Sequence, residues 1–226
     1  MMMKRIKMLV GSTLLTSLMM TGAAYAEGQV SGTVTLATDY LFRGVTQTMN
    51  NPAIQGSLDY TNGPFYAGVW ASNVDFGVDE TIETDLYAGF RPTLGPVSFD
   101  FGVIGYFYPG STDTLGEYDY VEGKAAASFA PVEGLTLGAA LYYSPEFFAE
   151  TGDALYTELN GAYAVTDQVS VSAAFGAQDI DAGVDYETWN LGASLTTLGL
   201  KFDLRYHETD ISGLDEVVSV SISRSM

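Results

Sequence analysis

The 226-residue sequence contains no cysteine. A disulfide framework and any thiolate metal site are therefore excluded. It has a single histidine, His207. A serine hydrolase of the membrane needs a histidine set against a serine nucleophile. His207 falls instead on the charged face of its segment beside Arg205, and no Gly-x-Ser-x-Gly elbow occurs. A phosphate-cradling glycine motif is missing as well. No catalytic residue, no cofactor and no metal-ligand set is expected. Basic residues are scarce, with 9 Lys and Arg against 28 Asp and Glu, a formal net charge of -19. Nucleic acid is excluded as a partner, because phosphate binding needs a basic surface. Beyond the first 26 residues no apolar run reaches the ~20 residues that a spanning helix requires. That rules out a helical inner-membrane protein but not a barrel, whose strands carry only a weak alternating signal.

The start of the chain has a different character. Lys4, Arg5 and Lys7 precede an apolar run from Met8 to Met20, and Ala24-Tyr25-Ala26 stands before Glu27. A basic opening, a short hydrophobic core and a small-x-small site predict a signal peptide over residues 1–26. Removing its three basic residues takes the net charge from -19 to -22. Residues 27–226 then form one domain, since no linker composition interrupts them. Acidity can signal disorder, but 47% hydrophobic and 13% aromatic content argue for a folded chain.

Leu200–His207 shows the organising pattern: Leu200, Phe202, Leu204 and Tyr206 alternate with Lys201, Asp203, Arg205 and His207. Strict alternation puts the two sets on opposite faces of a strand. Similar segments are Val30–Phe42, Ala53–Tyr60, Phe65–Val74, Ile82–Phe90, Val97–Phe107, Tyr118–Phe129, Leu135–Tyr143, Leu155–Val165, Val169–Ala177, Tyr186–Leu195 and Val217–Met226. Connections after every second one are short and rich in turn residues, such as Thr61-Asn62-Gly63-Pro64. The alternate connections are longer and acidic.

An apolar face can line a soluble core or meet lipid. Three features favour lipid. The segments run to about ten residues, which at a 45° tilt covers the ~25 Å apolar band of an outer membrane. Aromatics cluster at both segment ends: Tyr60, Phe65, Phe90, Phe129 and Tyr163 toward the short turns, Phe42, Phe107, Tyr143, Trp189 and Tyr206 toward the long loops. Interfacial girdles require that placement. Charge, finally, is confined to the opposite face. The expected fold is all-β: a transmembrane antiparallel up-and-down β-barrel of about 12 strands in the outer membrane, with short turns in the periplasm and long loops outside.

Ala37-Thr38-Asp39-Tyr40-Leu41-Phe42-Arg43-Gly44-Val45-Thr46-Gln47-Thr48, Tyr66–Val74 and Glu83–Phe90 resemble the TorF family of porins. The resemblance implies an outer-membrane barrel without catalytic residues.

In such a barrel the polar faces line the lumen. The predicted pore-lining residues are Asp39, Arg43, Asp59, Glu83, Asp85, Asp100, Glu122, Lys124, Glu158, Lys201, Asp203 and Arg205. Rings of charge set ion selectivity, and acids outnumber bases, so a weak cation preference is expected for a channel passing small hydrophilic solutes. The structural alternative is that these charges pair across strands. Tyr87, Tyr106, Tyr120, Tyr142, Tyr156 and Tyr186 share the same faces, either as bulk narrowing the lumen or as a stacking track. Acidic loops, among them Asp179, Asp181, Asp185 and Glu187, read as solvated surface, with divalent bridges to lipopolysaccharide as a further expectation. The other function class is a non-conducting envelope barrel with a structural or adhesive role.

Overall fold

The computed structural model describes residues 28–77, 81–110 and 117–226. The predicted signal peptide lies outside the described residues. Twelve long strands close into one antiparallel barrel. They are β1 (Gln29–Ala37), β2 (Ala53–Asn62), β3 (Phe65–Asn73), β4 (Ile82–Phe90), β5 (Val97–Phe107) and β6 (Tyr120–Val132). The second half comprises β7 (Leu135–Ser144), β8 (Ala154–Ala164), β9 (Val169–Ile180), β10 (Tyr186–Thr197), β11 (Leu200–Thr209) and β12 (Val217–Ser225). Each pairs with its sequence neighbours, and β1 pairs with β12, Thr33 opposite Ser225, to shut the ring. Closure leaves no sheet edge, so every strand has hydrogen-bond partners on both sides, as a lipid environment demands.

Alternation decides which face is which. Val34, Leu36, Ile54, Leu58, Leu86, Leu141, Leu159, Leu191, Leu204, Val218 and Val220 are all exposed on the outside. Tyr60, Phe65, Phe90, Phe129 and Tyr163 are exposed at the short-turn end, and Tyr143 and Trp189 at the loop end. The outer surface is thus an apolar band between aromatic rims, the arrangement of an outer-membrane barrel. The β3 segment, whose faces are ambiguous in sequence, turns Phe65, Ala67, Val69 and Ala71 outward and Tyr66, Trp70 and Ser72 inward.

The predicted first strand, Val30–Phe42, is too long. β1 stops at Ala37. Thr38 binds β12 twice, its N–H donating to the Val220 carbonyl (2.9 Å) and its Oγ1 accepting from the Val220 N–H (3.0 Å). The chain then leaves the wall. Residues 38–52, loop 1 hereafter, fold inward as a small hairpin in which Leu41–Phe42 pairs with Val45–Thr46. Its tip is Arg43-Gly44, both left-handed (φ 49° and 85°), the two-residue turn that suits a tight hairpin. Asp39 holds the base, accepting from Thr46 Oγ1 and Thr48 Oγ1, both at 2.7 Å.

Candidate functional site

The barrel interior divides into two unlike halves. From β3 to β8 it is aromatic: Tyr66, Trp70, Tyr87, Tyr106, Tyr120, Tyr142 and Tyr156 face inward. From β9 through β12 to β1 and β2 it carries mostly small hydroxyl and amide groups. These include Ser170, Ser172, Asn190, Ser194, Ser219, Ser221, Ser223, Thr33, Thr35 and Ser57, with Tyr186 the one tyrosine facing inward from these strands.

Loop 1 packs against the aromatic half. Tyr40 meets Trp70 edge-on at 5.2 Å, and Phe42 meets Tyr106 at 5.9 Å. Phe42 therefore does not join the outer girdle, because the strand expected to carry it ends five residues earlier. From the hairpin tip Arg43 reaches across to the wall. Its Nη2 donates to Glu122 Oε2 (2.6 Å) and its Nη1 to Gln178 Oε1 (2.8 Å). The guanidinium lies over the rings of Tyr156 (4.4 Å) and Tyr142 (5.1 Å). Burial works against the Arg43 charge, but the Glu122 carboxylate outweighs it and raises the pKa, so the guanidinium stays charged. Tyr40 donates to Glu83 Oε1 at 3.0 Å. Burial first, then Glu83 and Asp85, hold its hydroxyl well above the usual tyrosine range, so it remains a donor. Next to Arg43, Gly44 abuts Thr188 of β10, so closely that a Cβ would overlap the Thr188 hydroxyl. Loop 1 thus spans the interior from β1 to β10.

The sequence places Asp39 and Arg43 on a lining strand, and this is corrected by the structure. Both belong to loop 1: Asp39 fastens the base of the hairpin and Arg43 its tip. The other ten predicted residues face inward from strands, but few of their charges are free. Asp100 accepts from Lys124 Nζ (2.8 Å), Arg91 Nε (3.2 Å) and Tyr66 Oη (2.7 Å). Asp203 lies between Arg205 (3.2 Å) and Lys201 (3.9 Å). Asp59 accepts from Ser57 and Tyr87, and Glu158 from Tyr156 (3.1 Å) and Asn160 (2.9 Å). Glu83 and Asp85 are buried without an ion pair among the described residues. Arg91 is not among the predicted lining residues, and Gln178, read on the polar face of its strand beside Ser170 and Ser172, is not singled out as a partner of Arg43. Arg91 follows Phe90 into a turn, where alternation no longer assigns a face.

Long side chains lie flat against the wall because facing glycines leave them room. Tyr66 covers Gly89 and Gly102, Tyr87 covers Gly68, Tyr156 covers Gly176, and the Arg205 guanidinium lies over Gly192. Arg205 is thereby a brace, joining Asp203 to Asn190 Oδ1 (2.6 Å) and Ser172 Oγ (2.8 Å) on neighbouring strands. A Cβ at residue 176 would fall inside the Tyr156 ring. Gly176→Val is accordingly expected to lift Tyr156 off Glu158 into the lumen and lower the conductance of the refolded barrel, while the far-ultraviolet spectrum stays that of a barrel. Unchanged conductance would show that this side chain has another place to go.

Among the described residues no cluster of three or more acidic or histidine side chains is placed to hold a metal ion. Loop acids instead bind backbone: Asp185 accepts from the Ile180 N–H within its own turn, and Asp210 from the Glu187 N–H of β10, both at 2.8 Å.

The family model of Gcw_chp, described as a bacterial protein of unknown function, matches residues 22–220. The chain belongs to this family. Comparison with curated protein sequences finds no match. Among solved structures this Gcw_chp chain is similar to the KdgM porin, with a TM-score of 0.64 at 8% identity over 87% of this chain and 99% of that one. The KdgM porin in complex with disordered oligogalacturonate gives 0.63 at 7%, covering 88% and 99%. An outer membrane channel from Pseudomonas putida F1 gives 0.57 at 13%, covering 92% and 100%. At such identities the likeness is one of fold: the closed barrel of outer-membrane porins.

Proposed function

We propose that the chain is an outer-membrane channel for passive diffusion of small hydrophilic solutes, delivered to the envelope by the signal peptide of residues 1–26. The observation that carries this reading is the asymmetric lumen. Loop 1 occupies the aromatic half, while the half from β9 to β2 presents hydroxyls, amides and paired charges, groups that can exchange hydrogen bonds with a hydrated solute. The resemblance of Ala37–Thr48 to the TorF family of porins supports the same reading.

A weak cation preference follows from the charges on the wall and loop 1. Asp39, Asp59, Glu83, Asp85, Asp100, Glu122, Glu158 and Asp203 outnumber Arg43, Arg91, Lys124, Lys201 and Arg205. Pairing mutes the field but leaves its sign negative. The same excess disfavours polyanions, so an acidic oligosaccharide like that bound by the KdgM porin is a poor fit here. Reversal potentials of refolded protein in a potassium chloride gradient across a planar bilayer test this. Modest cation selectivity is expected, and anion selectivity would refute it. Outside, the acidic loops would meet lipopolysaccharide through divalent cations.

One observation favours the second reading, a non-conducting barrel. Loop 1 is anchored at both ends of its reach, by Tyr40 to Glu83 and by Arg43 to Glu122 and Gln178. Single-channel recording separates the two: absence of conductance steps from well-inserted protein would make this an envelope barrel with a structural role.

A further inference from the structure

Glu83 and Asp85 stand two residues apart on the inner face of β4, each 1% exposed. Their carboxyls are within hydrogen-bonding reach of one another. Two other acids of the wall have basic partners: Glu122 has Arg43, and the half-buried Asp100 has Lys124 and Arg91. Glu83 and Asp85 have none among the described residues. Hydroxyls surround them instead. Tyr40 and Tyr108 serve Glu83, and Glu83 stands in register with Ser72 of β3, itself opposite Gln55 of β2, both buried. These donors leave one atom of the pair out. Among the described residues Asp85 Oδ1 is enclosed without a hydrogen-bond partner, as is Asp39 Oδ2 at the base of loop 1.

Two carboxylates in a closed site repel each other, and each pays a desolvation penalty. An enclosed acceptor without a donor adds to that cost. A positive charge between them would offset all three costs. We infer that Glu83 and Asp85 form a binding site for one calcium ion beneath loop 1, with Asp85 Oδ1 as the ligand atom that the protein's own donors leave open. One divalent ion neutralises the pair. The groups at hand are carboxylates, hydroxyls and an amide, which suit a hard cation and not zinc or copper. Two carboxylates are few for calcium, so water completes the shell. Because Tyr40 of loop 1 donates to Glu83, the ion also secures the loop from below. The site does not depend on an open pore, so its failure and that of the channel reading show in separate experiments.

The test uses the full mature chain, refolded in detergent, stripped with EDTA and titrated with calcium chloride at neutral pH by calorimetry. Thermal unfolding is followed in parallel. One saturable site is expected in the wild type, with a melting temperature that rises on adding calcium. Asp85→Asn should weaken that site by more than about tenfold and abolish the thermal shift, while Asp179→Asn, exposed at the loop end of β9, should leave both intact. Glu83→Gln carries the same expectation if Asp85→Asn fails to form the barrel. Retention of the wild-type isotherm by both lumenal variants would overturn the site. So would a wild type whose melting temperature ignores calcium and chelator alike, since the pair is then neutralised by a shared proton.

Discussion

Arg43→Ala should give larger and noisier conductance steps than the wild type. The substitution removes the charged reach of loop 1 to the wall: two hydrogen bonds, to Glu122 and Gln178, and the stacking on Tyr142 and Tyr156. It also leaves Glu122, 1% exposed, with Tyr106 at 3.0 Å as its one side-chain donor among the described residues. Breaking a buried ion pair on one side costs about 3–5 kcal/mol. Each 1.4 kcal/mol is tenfold in an equilibrium constant, so docking of loop 1 weakens by roughly a hundredfold or more. The barrel wall is untouched, because none of these bonds belongs to a strand ladder. Arg43→Lys keeps one charge beside Glu122 but cannot fork to Gln178 as well, and should fall between the two. Wild-type conductance in Arg43→Ala would show that Tyr40 and the Asp39 clasp hold the loop unaided.

Leu159→Arg is the second large effect, and it falls on stability. Leu159 is the middle residue of β8 and is 65% exposed on the outer face. In lipid that position lies near the bilayer midplane, where an arginine costs about 2–4 kcal/mol in a barrel, falling toward zero at the interfaces. Its neighbour Asn160 faces the lumen, and Asn160→Ser should move stability by far less, since only the bond to Glu158 is lost. Urea titration of refolded protein in lipid vesicles compares the two. Equal effects would mean that the outer face of β8 does not meet lipid.

The barrel was legible because a closed sheet between lipid and water writes its geometry into residue order. Alternation in Ile82–Phe90, Val97–Phe107 and Leu200–His207 gave the faces found in the structure, and the girdle residues Tyr60, Phe65, Phe90, Phe129 and Tyr163 lie outside at one rim. Loop 1 was not legible for the same reason. Asp39 to Arg43 alternates as well as any strand, and alternation says nothing about which wall a segment joins. What ends β1 is long-range: Thr38 meets Val220, and Arg43 meets Glu122 and Gln178. The one local clue was Gly44 directly after Arg43, a hairpin turn inside an alternating run. Pairing of the interior charges was equally hidden, since sequence gives the face of Asp100 but not its distance from Lys124 and Arg91. Inward glycines, weak signals in a strand, turned out to be seats for the tyrosine rings and for Arg205.

The seam between β1 and β12 bears on how the molecule is made. Thr33 and Ser225, whose hydroxyls lie 3.0 Å apart, are separated by 192 positions. The other strand pairs are neighbours along the chain, and each can zip from its own turn. This junction gains nothing from proximity: its ladder from Thr33 to Ala37, extended by Gly32 with Met226 and by Thr38 with Val220, joins the two ends of the chain. Contacts so distant close late and slowly. Until they close, the chain is an open ribbon with two raw edges and a greasy back. Insertion and closure are therefore expected to be one event. A slip of one residue at that last joint would turn Val34 and Leu36 to the water side, so the joint that closes the hoop is also the one that must be struck correctly the first time.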